Sequence, residues 1–263
     1  MTLLARARID GHETYGEVEG DRFQPLTGGL TDHRAEGDPV ALGDVELLAP
    51  TAPRSMLMTM GGFMPADGSP LPPNATPWLV PKLTTSVGGD NAVVVVPTYV
   101  TTIWIEIELA IVIGKTIHNA TPDEARDAIL GYTIFNDVSA PQYLFDVATM
   151  TPQPQFDIWR AKSLDTFAVM GPWIRTDLTE ADVAAGLELT TTINGEVAGG
   201  GNTKNHKFPM STWVSFASHH VTLGPGDVIS LGTPAPCVAA PGDSVTLEVE
   251  GVGVLHNSLV SGV

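Results

Sequence analysis

The sequence predicts a β-rich α+β fold with few helices. Three observations carry that expectation. Aliphatic runs alternate with period two, and 27 glycines and 21 prolines among 263 residues imply many turns. Only two segments carry helix signals. Side chains alternate across a strand, so period two marks strands.

In chain order, LLARARI (3–9), ETYGEVEG (13–20) and RFQPL (22–26) read as short strands, forming a small N-terminal β subdomain over residues 1–50. Residues 51–80 include MGGFMPADGSPLPPNATP, which has no periodicity, and read as a long loop or lid. Residues 81–263 then form the main domain. Its clearest strand is TTIWIEIELAIVIG, residues 101–114. Thr121 can cap a helix, Pro122 suits its first turn and Glu124 completes a capping box; this helix is expected to reach Leu130 and stop at Gly131. YTIFNDVS (132–139) reads as a strand. A second helix is expected from Ser211 or Thr212 to His220, where His219 and His220 suit the negative end of the helix dipole. Pro225-Gly226-Asp227 and Pro241-Gly242-Asp243 fit type II turns that launch VISLGT and SVTLEVE.

The charge balance narrows the partners. Thirteen Lys+Arg against 30 Asp+Glu leave −17, which argues against nucleic acid or an anionic membrane. Cys237 is the only cysteine, so no intrachain disulfide can form, as suits a reducing compartment. The N-terminus, MTLLARARIDGHE, has no long apolar run. A cytoplasmic protein is expected.

Within residues 101–114 the odd positions from Ile103 to Ile113 are all aliphatic, so that face is buried. Glu106 and Glu108 share the other face, and Ala110 and Val112 continue it, so it also looks inward. Two adjacent buried carboxylates repel and lose hydration, and a hard divalent cation between them relieves both costs. An amphipathic strand with both glutamates in water fits the pattern equally well. Asp137 follows Glu108 by 29 residues across a strand–helix–strand unit that can return the chain beside its start. It is then either a third ligand or a turn residue. Three oxygen ligands suit Mg²⁺, Mn²⁺ or Ca²⁺ better than zinc.

The order ELAIVIGK, GYTIFNDVSA, RAKSLDTF, GPW, INGE, GNT, LGPGDVISLGTP and PGDSVTLEVEGVGVLHN resembles the fumarylacetoacetate hydrolase family over roughly residues 80–257. The resemblance implies a mixed β-sandwich roll with a small N-terminal domain, commonly homodimeric. It implies that Glu106, Glu108 and Asp137 bind Mg²⁺ or Mn²⁺, and that Lys162 is the catalytic lysine. It places Gly232 and Thr233 at the substrate, Thr233 on its carboxylate. The implied reaction is metal-dependent hydrolysis of a C–C bond in a 1,3-dicarbonyl or 2-oxo acid; some members decarboxylate or isomerise such acids instead.

The chain departs from the family pattern in three places. Where the family carries a His–Glu pair that activates water, this sequence has Pro65 and Gly68, with Asp67 as the only nearby substitute. Where an arginine grips the substrate, it reads Ser139-Ala140-Pro141-Gln142, leaving Gln142 as the polar candidate for substrate. His206 stands where methionine is usual; it either approaches the site from another side or, beside Lys204 and Lys207, is a surface histidine, the reading the flanking charges favour. The Met-rich stretch 56–64 suggests an adaptable apolar pocket. Three functions follow: a hydrolase with a relocated base, a decarboxylase or isomerase that needs no attacking water, and a non-catalytic metal-binding homologue.

Overall fold

The computed structural model describes residues 3–262. The β-rich α+β expectation is met. A 13-stranded sheet runs in the order His33–Ala35, Arg22–Gly28, His12–Glu19, Leu3–Ile9, Ala168–Arg175, Ile129–Asp137, Ile107–Ile113, Val228–Ser230, Met56–Thr59, Leu79–Pro81, with three short strands off this path. The N-terminal strands form an antiparallel meander around Phe23, and Leu3 and Leu4 pair with Arg175 and Ile174, so the meander continues the main sheet.

A five-stranded sheet, Ala92–Val96, Gly253–Ser261, Ser244–Val249, Glu188–Ile193 and Glu196–Asn202, packs on one face of the large one. Ile107, Leu109, Ile111 and Ile113 meet Val94, Leu189, Leu247 and Leu255 there, with Trp213 and Val214 of the helix Met210–Ser218. Ala110 and Val112 point the other way, among Leu4, Leu26, Met56, Phe135 and Met170. The central strand is therefore buried on both faces, which explains its near-continuous apolar run. Among the described residues no helix is long and apolar enough to cross a membrane.

Both Pro-Gly-Asp turns form as expected. Gly226 and Gly242 take φ +86° and +102°, and Asp227 and Asp243 donate back to the carbonyls of Gly224 and Ala240. The capping box at Thr121 forms, but the helix covers only Pro122–Asp127. Gly131 does not stop it: Gly131 lies inside Ile129–Asp137, where a Cβ would come 2.4 Å from the Arg175 carbonyl oxygen, so the glycine serves strand packing. The second helix spans Met210–Ser218; His219 follows as its C-cap, and His220 meets the Phe216 carbonyl at 2.9 Å. The segment 51–80 is not structureless. Met56–Thr59 pairs in parallel with Val228–Ser230 and antiparallel with Leu79–Pro81. Met56 and Met58 are thus core side chains, and only the later part of the Met-rich stretch is free to face a ligand.

Candidate metal centre

The centre is built at a change of sheet. Ile103–Ile105 pairs with Cys237–Ala239, whereas Ile107–Ile113 pairs with Ile129–Asp137 and Val228–Ser230. Glu106 sits at the break. Its N–H donates to Asn136 Oδ1 (3.3 Å) and its carbonyl accepts from the Asp137 N–H (3.0 Å), which brings Asp137 beside it. Asn136 is held in turn by its Nδ2 on Asn257 Oδ1, 2.9 Å away. Glu108 lies two residues on, and its Oε2 accepts the Gly232 N–H at 2.8 Å.

Glu106, Glu108 and Asp137 are all buried, and each offers a carboxylate oxygen within 4.8 Å of the others. An ion with oxygen ligands at about 2.1–2.5 Å spans oxygens up to about 5 Å apart. The donor set, three hard oxygens shielded from bulk water, fits a divalent cation of the Mg²⁺, Mn²⁺ or Ca²⁺ kind.

Two lysines share the pocket. Lys162, at the end of the helix Ile158–Lys162, donates to Glu106 Oε2 and to Asp137 Oδ2 (2.7 Å for the latter). Lys82 donates to Asp137 Oδ1 at 2.5 Å. Ser139 Oγ donates to Glu106 Oε2 at 2.8 Å. Burial opposes the Lys162 ammonium, but Asp137 and Glu106 outweigh it and hold its pKa above the ordinary lysine value. Burial likewise opposes ionised Asp137; Lys162 and Lys82 overcome it and hold the carboxyl below its usual range. Burial dominates at Lys82 and lowers its pKa despite Asp137. Glu108 is pushed well above the carboxylate range by burial, then by repulsion from Asp137 and Glu106.

A carboxyl that holds its proton must release it to become a ligand. Metal affinity should therefore weaken by up to about tenfold per pH unit as pH falls below the Glu108 pKa, and level off above it. Calorimetric titration of Mn²⁺ in buffers of different ionisation enthalpy measures the proton released. A binding constant flat across the acid range, with no proton release, would mean that Glu108 carries no proton to give up when the metal binds.

Of the remaining sequence candidates, only Gly232 makes a hydrogen bond to this cluster. The backbone of Gly232 is committed to Glu108, while Thr233 Oγ1 turns to the Ala235 carbonyl at 3.3 Å. Gln142 spends its amide on the Tyr99 carbonyl (3.1 Å) and the Thr101 N–H (3.3 Å). Pro65 to Gly68 closes an exposed turn, with Asp67 Oδ1 accepting the Ser69 N–H. Gly62 lies so close to Leu231 that a Cβ would stand 1.8 Å from its carbonyl oxygen. Only glycine lets the start of this loop rest on the segment that positions Glu108.

His206 is half-buried, and its ring nitrogens do not face solvent. Its ring packs on Phe63, centroids 4.3 Å apart, and both ring nitrogens are shut from solvent without a hydrogen bond of normal length. Burial pushes its pKa down to about 4, against a weaker opposite pull from the Gly62 carbonyl, so the imidazole is neutral at pH 7. Its flanking lysines misled the sequence reading: Phe63 pairs with His206 across the fold in an isolated antiparallel bridge. Sequence reasoning also missed Lys82, although a signal existed. It is the only charged residue in the run WLVPKLTTSVGG. A lone charge in such a run needs a buried partner.

Comparison with known proteins places the chain by family and fold. A model of the Rv2993c-like N-terminal region matches residues 3–50. The chain is 38% identical over 232 residues to Protein Rv2993c of Mycobacterium tuberculosis, covering 83% of this chain and 80% of that one. It superposes with a TM-score of 0.86 on a 5-carboxymethyl-2-hydroxymuconate delta-isomerase from Mycobacterium smegmatis, at 32% identity over 99% of this chain and 100% of the other. A fumarylacetoacetate hydrolase from Exiguobacterium antarcticum matches with a TM-score of 0.78 and 26% identity over the whole of both chains. The model of the fumarylacetoacetate hydrolase C-terminal region covers residues 61–260, most of the chain and every carboxylate and lysine of the buried cluster, and the protein belongs to the fumarylacetoacetate hydrolase family.

Proposed function

We propose that this protein is a divalent-metal-dependent enzyme that acts on a 1,3-dicarbonyl or 2-oxo acid through an enolate. One observation carries the reading: the ammonium of Lys162 lies in hydrogen-bond contact with two of three clustered, buried carboxylates. Glu106, Glu108 and Asp137 would hold Mg²⁺ or Mn²⁺, which when bound supplies positive charge to neighbouring substrate oxygens. Ser139 and Asn136 fix Glu106, and Gly232 fixes Glu108. Lys162 stays protonated and donates to the oxygen on which enolate charge develops. Thr233 and Gln142 stand as contacts to the substrate's polar end, each after giving up a present hydrogen bond.

The geometry favours isomerisation or decarboxylation over hydrolysis. The segment aligned with the family's water-activating pair folds as an exposed turn through Pro65 and Gly68, and Asp67 serves that turn. Neither rearrangement needs an attacking water. The similarity to a structure described as an isomerase supports the same choice. Hydrolysis of a C–C bond is the second reading, supported by the similarity to a structure described as a fumarylacetoacetate hydrolase. The acidic charge and single cysteine support a cytoplasmic enzyme with a small-molecule substrate, and family membership supports a homodimer.

The test uses protein stripped with EDTA, then Mg²⁺ or Mn²⁺ restored, on a panel of acylpyruvates and 2-hydroxymuconate-type acids in H₂¹⁸O. The expected result is metal-dependent turnover with no ¹⁸O in a new carboxylate beyond carbonyl exchange. Label in a new carboxylate would establish the hydrolase. Metal binding without turnover of any acid would favour the non-catalytic homologue.

A further inference from the structure

Lys82 has no place in the chemistry proposed above, yet it is among the most enclosed charges in the molecule. Its side chain is fully shielded from solvent. Its Nζ donates to Asp137 Oδ1 at 2.5 Å and to the Val138 carbonyl at 3.3 Å. Lys162 holds the other oxygen of the same carboxylate, Oδ2, at 2.7 Å. Lys162 also holds Glu106 Oε2, so Oδ2 lies on the Glu106 side, and the grip of Lys82 on Oδ1 keeps that oxygen turned away from it. The lysine is itself anchored. Its N–H donates to the Met56 carbonyl at 3.0 Å, and the next N–H, of Leu83, donates to Ser163 Oγ at 3.2 Å, beside Lys162. Lys82 makes no hydrogen bond to Glu106 or Glu108.

We propose that Lys82 is a positioning residue that orients Asp137 as a metal ligand, holding Oδ1 so that Oδ2 stays on the side of Glu106. The inference rests on the reading of Glu106, Glu108 and Asp137 as ligands. Groups that orient the ligands of a metal commonly raise its affinity by about 10–100-fold. A role through charge alone has the opposite sign: removing a cation beside a cation site leaves the site more negative, and the metal binds more tightly. The two accounts are separated by the direction of one measurement.

The full-length protein is titrated calorimetrically with Mn²⁺, as wild type, Lys82→Met and Lys82→Arg, alongside melting in EDTA. Lys82→Met is expected to bind Mn²⁺ about 10–100-fold more weakly, and Lys82→Arg, which keeps donors for Oδ1, to recover most of the loss. If Lys82→Met does not fold, Lys82→Gln carries the same expectation. Equal or tighter binding with only a shifted melting point would overturn the proposal and leave Lys82 as a buried ion pair. A wild type that binds no Mn²⁺ would overturn the ligand assignment itself, which is a different result from a selective loss in the variant.

Discussion

Replacing Asp137 by asparagine is expected to abolish metal binding and to lower the melting temperature by roughly 10 °C. Asp137 is the partner of two buried ammonium groups, one on each oxygen. The amide keeps the shape but removes the charge. Lys162 retains Glu106, and Lys82 retains only neutral acceptors, the Val138 carbonyl and the amide oxygen. Leaving a buried charge without its partner costs about 3–5 kcal/mol. For a chain of this size each kcal/mol moves the midpoint by roughly 2–4 °C. Glu106→Gln should also weaken metal binding but cost less stability, because Lys162 still holds Asp137. The pH dependence has a definite sign. The folded pKa of Asp137 is depressed, so its stabilisation is fully present above the unfolded value of about 3.9 and disappears as pH falls through the folded value. The gap between wild type and Asp137→Asn should therefore be widest near neutral pH and close under strong acid. Melting curves from pH 3 to 8, with EDTA and with Mn²⁺, measure both effects. An asparagine variant that still gains stability from Mn²⁺ would remove Asp137 from the ligand set.

The shared face of Glu106 and Glu108 was legible because strand periodicity is a local property, whereas Lys162 and the choice of a ligand role for Asp137 came only from the family resemblance. Glu106 and Glu108 declare a shared face by their spacing, and the helix signals after Thr121 show a short connection that returns Asp137 beside them. What was not legible depended on partners far apart in sequence. Lys82 meets Asp137 across 55 residues, and nothing near position 82 names that partner. The His206 ring packs on Phe63, which is distant in sequence, so Lys204 and Lys207 alone did not give its environment. Met56 and Met58 lie in a stretch without an obvious period, yet four residues there form a strand because Val228–Ser230 offers a free edge. Gly131 shows the complementary error. A glycine after a helix signal resembles a C-cap, but here close approach of the Arg175 backbone selects it.

Lys162→Met should separate catalysis from metal binding. The side chain is nearly enclosed and donates only to Glu106 and Asp137 among the charged groups. If it serves merely to neutralise those carboxylates, a bound divalent ion can do the same, and the metal-loaded variant would turn over nearly as well as wild type. If it donates a hydrogen bond to the developing enolate oxygen, the ion cannot replace it, because a metal ion has no N–H to aim at that oxygen. Loss of one such donor typically costs about 10²–10³ in kcat, and loss of a general acid up to about 10⁴. The expected outcome is therefore a fall in kcat of at least about 10², with Mn²⁺ affinity equal to wild type or tighter, since a competing cation has been removed. In EDTA the variant should melt lower, because Glu106 and Asp137 lose a shared partner; Mn²⁺ should restore most of the difference. A drop in kcat matched by an equal drop in metal affinity would make Lys162 a support of the ligand set, and the donor to the enolate would have to be sought elsewhere in the pocket.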